Sequence, residues 1–211
     1  MPLRHAIARP GRRLFLALCA AALLGSADEI RAEDTLPDFT PRITAASALA
    51  ARIRPLWLDA LIAAEDPEFR KHPVAASTIT ATVAALLVRE TTAGTSPTRV
   101  RSLAMGATLA LGLSASHDEV LCLLLQHASF GHAATGHDTA ARIYFRKGAD
   151  ELTLPEIASL VALIKAPAHL PEEPERARAR RDQVLHGMRA AGSISEAELQ
   201  SALAAPLGWS R

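Results

Sequence analysis

Three stretches of the chain set a hydroxyl residue and a glutamate three positions apart at the head of an apolar run: Ser116-His-Asp-Glu119, Thr153-Leu-Pro-Glu156 and Ser195-Glu-Ala-Glu198. Such a box starts a helix, because the hydroxyl and the carboxylate satisfy otherwise orphaned backbone amides reciprocally. The segments between the boxes also have helical spacing. Leu56, Leu58, Leu61 and Ile62 form an apolar face that runs into Ala63-Ala64-Glu65-Asp66, and Pro67 closes the segment. Residues 78–90 predict a second helix. A loop with Gly94, Ser96 and Pro97 follows, then a third helix from about Thr98 to Leu113. A long helix from about Glu172 would stop at Gly192. No period-two alternation or hairpin signal competes. The composition is 49% hydrophobic but only 4% aromatic, which suits close-packed helices better than a β-sandwich. The expected fold is mostly α, as one domain over residues 53–211, preceded by a polar, proline-containing linker at 28–52.

The N-terminus has a different character. Arg4, Arg9, Arg12 and Arg13 precede an uninterrupted apolar run from Leu14 to Leu24, followed by Gly25-Ser26-Ala27 and a polar switch at Asp28-Glu29. Residues 1–27 therefore read as a secretory signal, or as a short anchor if they are not cleaved. The run falls short of the roughly 20 apolar residues a spanning helix needs. The pair Arg12-Arg13 before Leu14-Phe15-Leu16 also fits a twin-arginine signal. The expected location is periplasmic, or anchored at the outer face of the inner membrane. Of two cysteines, Cys19 lies in this signal, which leaves Cys122 as the mature chain's thiol. A formal net charge of +1 argues against nucleic acid as a partner. The basic cluster from Arg176 to Arg189 reads as a solvated helix face.

Four blocks, in order across residues 57–205, resemble the motifs of glycosyltransferase family 51, the peptidoglycan glycosyltransferases. Leu61-Ile-Ala-Ala-Glu65-Asp66-Pro-Glu-Phe69-Arg-Lys-His72 is similar to A-x-E-D-x-x-F-x-x-H. Ser77-Thr78-Ile79-Thr80 is similar to part of G-G-S-T-I-T-Q-Q. Gly131, Gly136, Ala140-Ala141, Tyr144-Phe145 and Lys147 follow a glycine-rich block ending A-A-x-x-Y-F-G-K. Leu152-Thr153-Leu154-Pro-Glu156 through Ala166-Pro167, then Arg180-Arg181-Asp-Gln-Val184-Leu185, resembles the remaining pattern and its R-R-x-x-V-L helix.

The resemblance implies a compact helical domain related to lysozyme, with a groove facing the membrane, that polymerises lipid II into glycan strands. It implies Glu65 as the base that removes the proton from the acceptor 4-hydroxyl. Asp66, Ser77, Thr78, Thr80, Arg101 and Lys147 are the candidate substrate-binding residues. Hydroxyls and free amides at a helix start can hold phosphate oxygens, and they equally serve as caps. Arg99 and Arg101 lie where the family has an R-K pair near the donor pyrophosphate. A divalent cation is the one cofactor the resemblance brings in. The implied partners are lipid II or glycan strands, the membrane surface and other cell-wall synthesis proteins.

The chain departs from this family pattern in one direction, towards small or apolar residues. Ala81-Thr82-Val83-Ala84-Ala85 stands where two glutamines, a lysine and an asparagine are expected. Arg101-Ser-Leu-Ala104 and Met105 carry no counterpart of the second catalytic glutamate, Leu121-Cys122-Leu-Leu124-Leu125-Gln126 replaces a more polar pattern, and the segment between His72 and Ser77 is short. Losing one transition-state charge partner costs on the order of 100- to 1,000-fold in rate. Two readings follow: an impaired polymerase using Glu65, or a non-catalytic binding or scaffolding module. Glycan cleavage by a single glutamate is chemically feasible, but the blocks match the synthases instead. His117, His127, His132 and His137 lack the spacing of helix-face ligand pairs and read as loop or surface residues.

Overall fold

In the computed structural model the described residues are 36–92 and 96–209; the expected signal at 1–27 lies outside them. Nine α-helices are present among the described residues: α1 (Thr40–Ala50), α2 (Pro55–Glu65), α3 (Thr78–Thr91), α4 (Pro97–Ser114), α5 (His117–His127), α6 (His137–Phe145), α7 (Leu154–Leu163), α8 (Pro174–Ala190) and α9 (Glu196–Ala204). Three short 3-10 turns add Phe69–Lys71, Val74–Ala76 and Leu170–Glu172. The only strand-like pairing among the described residues is an isolated bridge between Ser129 and Thr135. The fold is mostly α, as the capping boxes and helical spacing predict.

Each of the three boxes forms. Glu119 Oε2 accepts from the Ser116 amide at 2.7 Å, Glu156 Oε2 from the Thr153 amide at 2.8 Å, and Glu198 Oε2 from the Ser195 amide at 2.7 Å. Helix α8 starts two residues later than expected, because Leu170–Glu172 closes its own 3-10 turn and Pro174 occupies the first helical turn. Gly192, at φ +77°, ends it in the left-handed conformation.

Two helices are buried around most of their circumference and carry the rest. In α5, Val120 to Leu125 are all buried; in α7, Ile157 to Leu163 are. Helix α2 packs against both and against α8, so the end of α2 is held from several sides. Cys122 sits inside α5, and burial pushes its thiol up to about 12, so it stays a protonated core residue.

Residues 40–50, expected within the linker, form helix α1 instead. Phe39, Ala46 and Leu49 are buried, and α1 packs on α5. Its apolar residues are mostly alanines, with Ile43 and Leu49 the only large ones, so its periodicity is legible only once its partner is in place.

The short segment between His72 and Ser77 becomes the turn Val74–Ala76, on which α4 lies directly. A Cβ at Gly112 would come within 2.3 Å of Ala75 Cβ and 2.8 Å of its backbone, so only glycine permits this contact. Gly112→Ala is expected to lower stability by about 1–3 kcal/mol, as an overpacked contact does. A urea titration would show it as a fall in midpoint with little change in slope.

Candidate active site

Helix α2 ends at Glu65, and Asp66 turns the chain out of the helix with φ −160° and ψ 91°. The Asp66 carboxylate accepts from the Glu68 amide at 3.1 Å and from the Ser77 hydroxyl at 2.7 Å. Ser77 Oγ accepts in turn from the Ile79 amide at 3.1 Å and caps α3. One buried serine therefore ties the end of α2 to the start of α3.

The loop between them is braced again at each step. Phe69 is fully buried, with its ring 4.9 Å from His117 in an edge-on arrangement, and His117 Nε2 donates to the His72 carbonyl at 2.9 Å. Arg70 pairs with Asp118 at 2.7 Å, which fastens the loop to the start of α5. Thr80 Oγ1 donates to the Val74 carbonyl at 2.5 Å. On α2, burial raises the Asp59 carboxyl above the ordinary range; nearby Arg70 opposes the rise and Asp118 adds to it.

Glu65 is about one-fifth exposed, and its two oxygens differ. Oε2 lies 4.0 Å from Lys165 Nζ, at the limit of an ion pair. Oε1 is buried with no hydrogen-bond partner among the described residues. Arg180 of α8 reaches the same end of α2, donating from Nη2 to the Ala64 carbonyl at 3.1 Å. Helices α2 and α8 touch there: a Cβ on Gly187 would lie 3.1 Å from Ala63. A buried acceptor without a donor is costly and rare. The other oxygen, Oε2, lies on the Lys165 side, and a partly exposed carboxylate is a group that can take a proton from a hydroxyl.

The structure separates the candidate residues into groups. Glu65, Asp66, Ser77 and Thr80 surround one short loop, but Asp66, Ser77 and Thr80 are engaged in holding it. Thr78 is exposed as the first residue of α3, and Arg101 is exposed on α4. Lys147 belongs to the junction of α6 and α7, where its Nζ lies 2.7 Å from Glu156. Where the second acid is expected, Ala104 is half-buried and Met105 is 57% exposed. Sequence reasoning missed Lys165 and the split within the Arg180-Arg181 pair. Arg180 reaches α2, whereas the fully buried Arg181 donates to the carbonyls of Ala205 and Leu203 at 2.7 and 3.2 Å and holds the end of α9. A lysine immediately before the Ala166-Pro167 pair was the available signal.

A divalent cation needs several oxygen donors in one place. Both Asp66 oxygens already accept hydrogen bonds, and no three histidine, cysteine or acidic side chains among the described residues gather to hold a metal. The residues present do not fit such an ion. The histidines are engaged elsewhere: His127 with Glu90, His132 with Glu172, and His137 buried edge-on against Trp57.

The family described as Transglycosylase matches residues 74–189, more than half of the chain. The chain belongs to the transglycosylase family. Penicillin-binding protein 1A of Rickettsia bellii is 41% identical over 92 residues, covering 43% of this chain and 12% of that protein. A protein provisionally named a transglycosylase, from Cupriavidus necator, is 45% identical over 92 residues, covering 43% of this chain and 40% of its own length. This transglycosylase thus spans only a part of those relatives. The crystal structure of penicillin-binding protein 1A from Haemophilus influenzae aligns over 76% of this chain and 17% of its own, with a TM-score of 0.47 and 24% identity.

Two outcomes test this geometry. Ser77→Ala removes a cap and the tie to Asp66 together, and should lower stability by about 1–2 kcal/mol in urea denaturation. Burial pushes the Glu156 carboxyl up, but the hydrogen bonds from Lys147 and Thr153 outweigh it and leave the group below the usual carboxylate range. Its contribution is complete above the unfolded pKa of about 4.3 and drains away as pH falls through the lower folded value. Thermal melts of Glu156→Gln should therefore lose less stability than wild type on acidification below about pH 4.3.

Proposed function

We propose that the chain is an exported peptidoglycan glycosyltransferase of cell-wall biogenesis, with Glu65 as general base and a rate below that of a synthase with both carboxylates. The observation that carries this reading is the Glu65 carboxylate at the end of α2, about one-fifth exposed, with Lys165 Nζ 4.0 Å from its Oε2. The family match begins after Glu65, so the residue's role rests on its own sequence block and on this geometry.

In the proposed reaction Glu65 takes the proton of the acceptor 4-hydroxyl. The oxygen then forms a bond to the anomeric carbon of the growing strand, and the bond from that carbon to undecaprenyl pyrophosphate breaks. The proton ends on Glu65 and the negative charge on the leaving pyrophosphate. Lys165, 4.0 Å from Glu65 Oε2, would offset charge there, with Arg180 bound to the Ala64 carbonyl at the same end of α2; Arg101, on the exposed face of α4, would serve the pyrophosphate. Asp66, Ser77 and Thr80 position the loop, with Thr78 at the rim. Lys147, joined to Glu156, supports the substrate side from the α6–α7 junction. The proposed partners are lipid II or glycan strands at the membrane surface and other cell-wall synthesis proteins. No helix of the described residues is long and apolar enough to cross a membrane.

A specific observation favours a second reading. The face of α4 that would carry the other acid presents Ala104 and an exposed Met105. That is the surface of a module that keeps the fold and a glycan groove without turnover. A lipid II polymerisation assay separates the two. The first reading expects slow polymer formation by wild type and a loss of about 100-fold or more in Glu65→Gln, the scale of a removed general base. Binding of lipid II without any polymer, where a control synthase makes it, sinks the first reading and leaves the second.

A further inference from the structure

Beyond Lys165 the chain passes through Ala166 and Pro167 into a groove that the Glu65 site does not use. Two cavities, of about 420 and about 300 Å³, meet at His132, Pro171 and Glu172. Each has the volume of a small-ligand site. The first is floored by Gly131 and Pro167, and the second is walled by Tyr144 and Trp209.

The backbone that shapes this groove is strained. Gly131, His132 and Ala133 have φ of +83°, +49° and +59° in succession. Two consecutive non-glycine residues in the left-handed region persist only where the surroundings over-determine them. Gly131 is confined by contact, since a Cβ there would lie 2.4 Å from the Pro167 carbonyl and 2.7 Å from the Pro171 ring. The result is to turn His132 outward. Its side chain stays 47% exposed, its ring meets Tyr144 edge-on at 5.7 Å, and its Nε2 lies 3.0 Å from Glu172 Oε1. Trp209 rests against Tyr144 with ring centroids 5.5 Å apart and remains partly exposed, whereas Trp57, the chain's other tryptophan, is buried.

The lining selects a class of ligand. Neither cavity has a lysine or arginine on its wall, and Glu172 would repel a phosphate. Glu172 lies 3.0 Å from His132 Nε2, so the two side chains offer hydrogen-bonding atoms side by side at the junction of the lobes. Beside it stand the flat, apolar faces of Trp209 and Pro171. A pyranose ring matches this pattern, with C–H groups on its faces for the negative face of an indole and hydroxyls around its edge for a polar pair. A polyproline peptide would need a row of exposed aromatic ridges, and one partly exposed indole does not make a row. We propose that this two-lobed groove binds a neutral saccharide, one ring in each lobe, with Trp209 as the stacking platform and the His132–Glu172 pair as the polar edge. No bond is made or broken there, and Glu65 is not among the residues that line either cavity.

The test is titration of the purified chain with N,N′-diacetylchitobiose and with peptide-free glycan fragments, followed by calorimetry and tryptophan emission. Saturable heat and a shifted emission are expected, since Trp209 is the partly exposed fluorophore. Trp209→Ala and Glu172→Gln should each weaken binding by about tenfold or more, a loss of roughly 1.4 kcal/mol. Glu65→Gln should bind the sugar as wild type does, whatever its effect on polymerisation. Trp209 packs on Tyr144, so circular dichroism must show that variant folded. Glu172→Gln, at an exposed position, is the second variant if it is not. Absence of saturable binding overturns the proposal, as does binding that Glu65→Gln abolishes and Glu172→Gln leaves intact. Binding of a proline-rich peptide without binding of either sugar also overturns it.

Discussion

The hydrogen bond from Ser77 to Asp66, 2.7 Å long, joins the end of α2 to the start of α3 across a short loop. It fixes one side of the Glu65 site, as the packing of α7 and α8 on α2 fixes the other. The same serine oxygen caps α3, so the start of one helix and the exit from another share one buried hydroxyl. With the Phe69 ring, the Arg70–Asp118 pair and the Thr80 hydroxyl, it converts a short polar loop into a fixed wall beside Glu65. Against that wall one Glu65 oxygen is buried, and the other lies 4.0 Å from Lys165.

Much of the scaffold was legible because its signals are local. Capping boxes and apolar spacing act within a few residues, so α5, α7 and α9 start where Ser116, Thr153 and Ser195 predict. Helix α1 was not legible, because its buried Ala46 and Leu49, with Phe39 just ahead of it, matter only against α5. The site was legible at Glu65 and Asp66 but not at Lys165, which is brought to Glu65 by the packing of α7 and α8 on α2. Two neighbouring arginines of similar aspect also divide by depth alone: Arg180 serves the end of α2, and Arg181 satisfies the carbonyls that end α9.

The departures from the family pattern also have a structural logic. The shortened segment after His72 becomes a single turn under α4, and Gly112 lets the two backbones touch. Arg101 and Met105 stand exposed on α4, while Asp66, Ser77 and Arg180 support the end of α2.

The glycine contacts have a mechanical consequence as well. Gly112 seats α4 on Ala75, and Gly187 seats α8 on Ala63, so the elements on either side of Glu65 meet backbone to backbone with no long side chains between them to slide or repack. Such seams leave little room for small adjustments, so the elements around Glu65 are located by main-chain packing rather than by adaptable side chains.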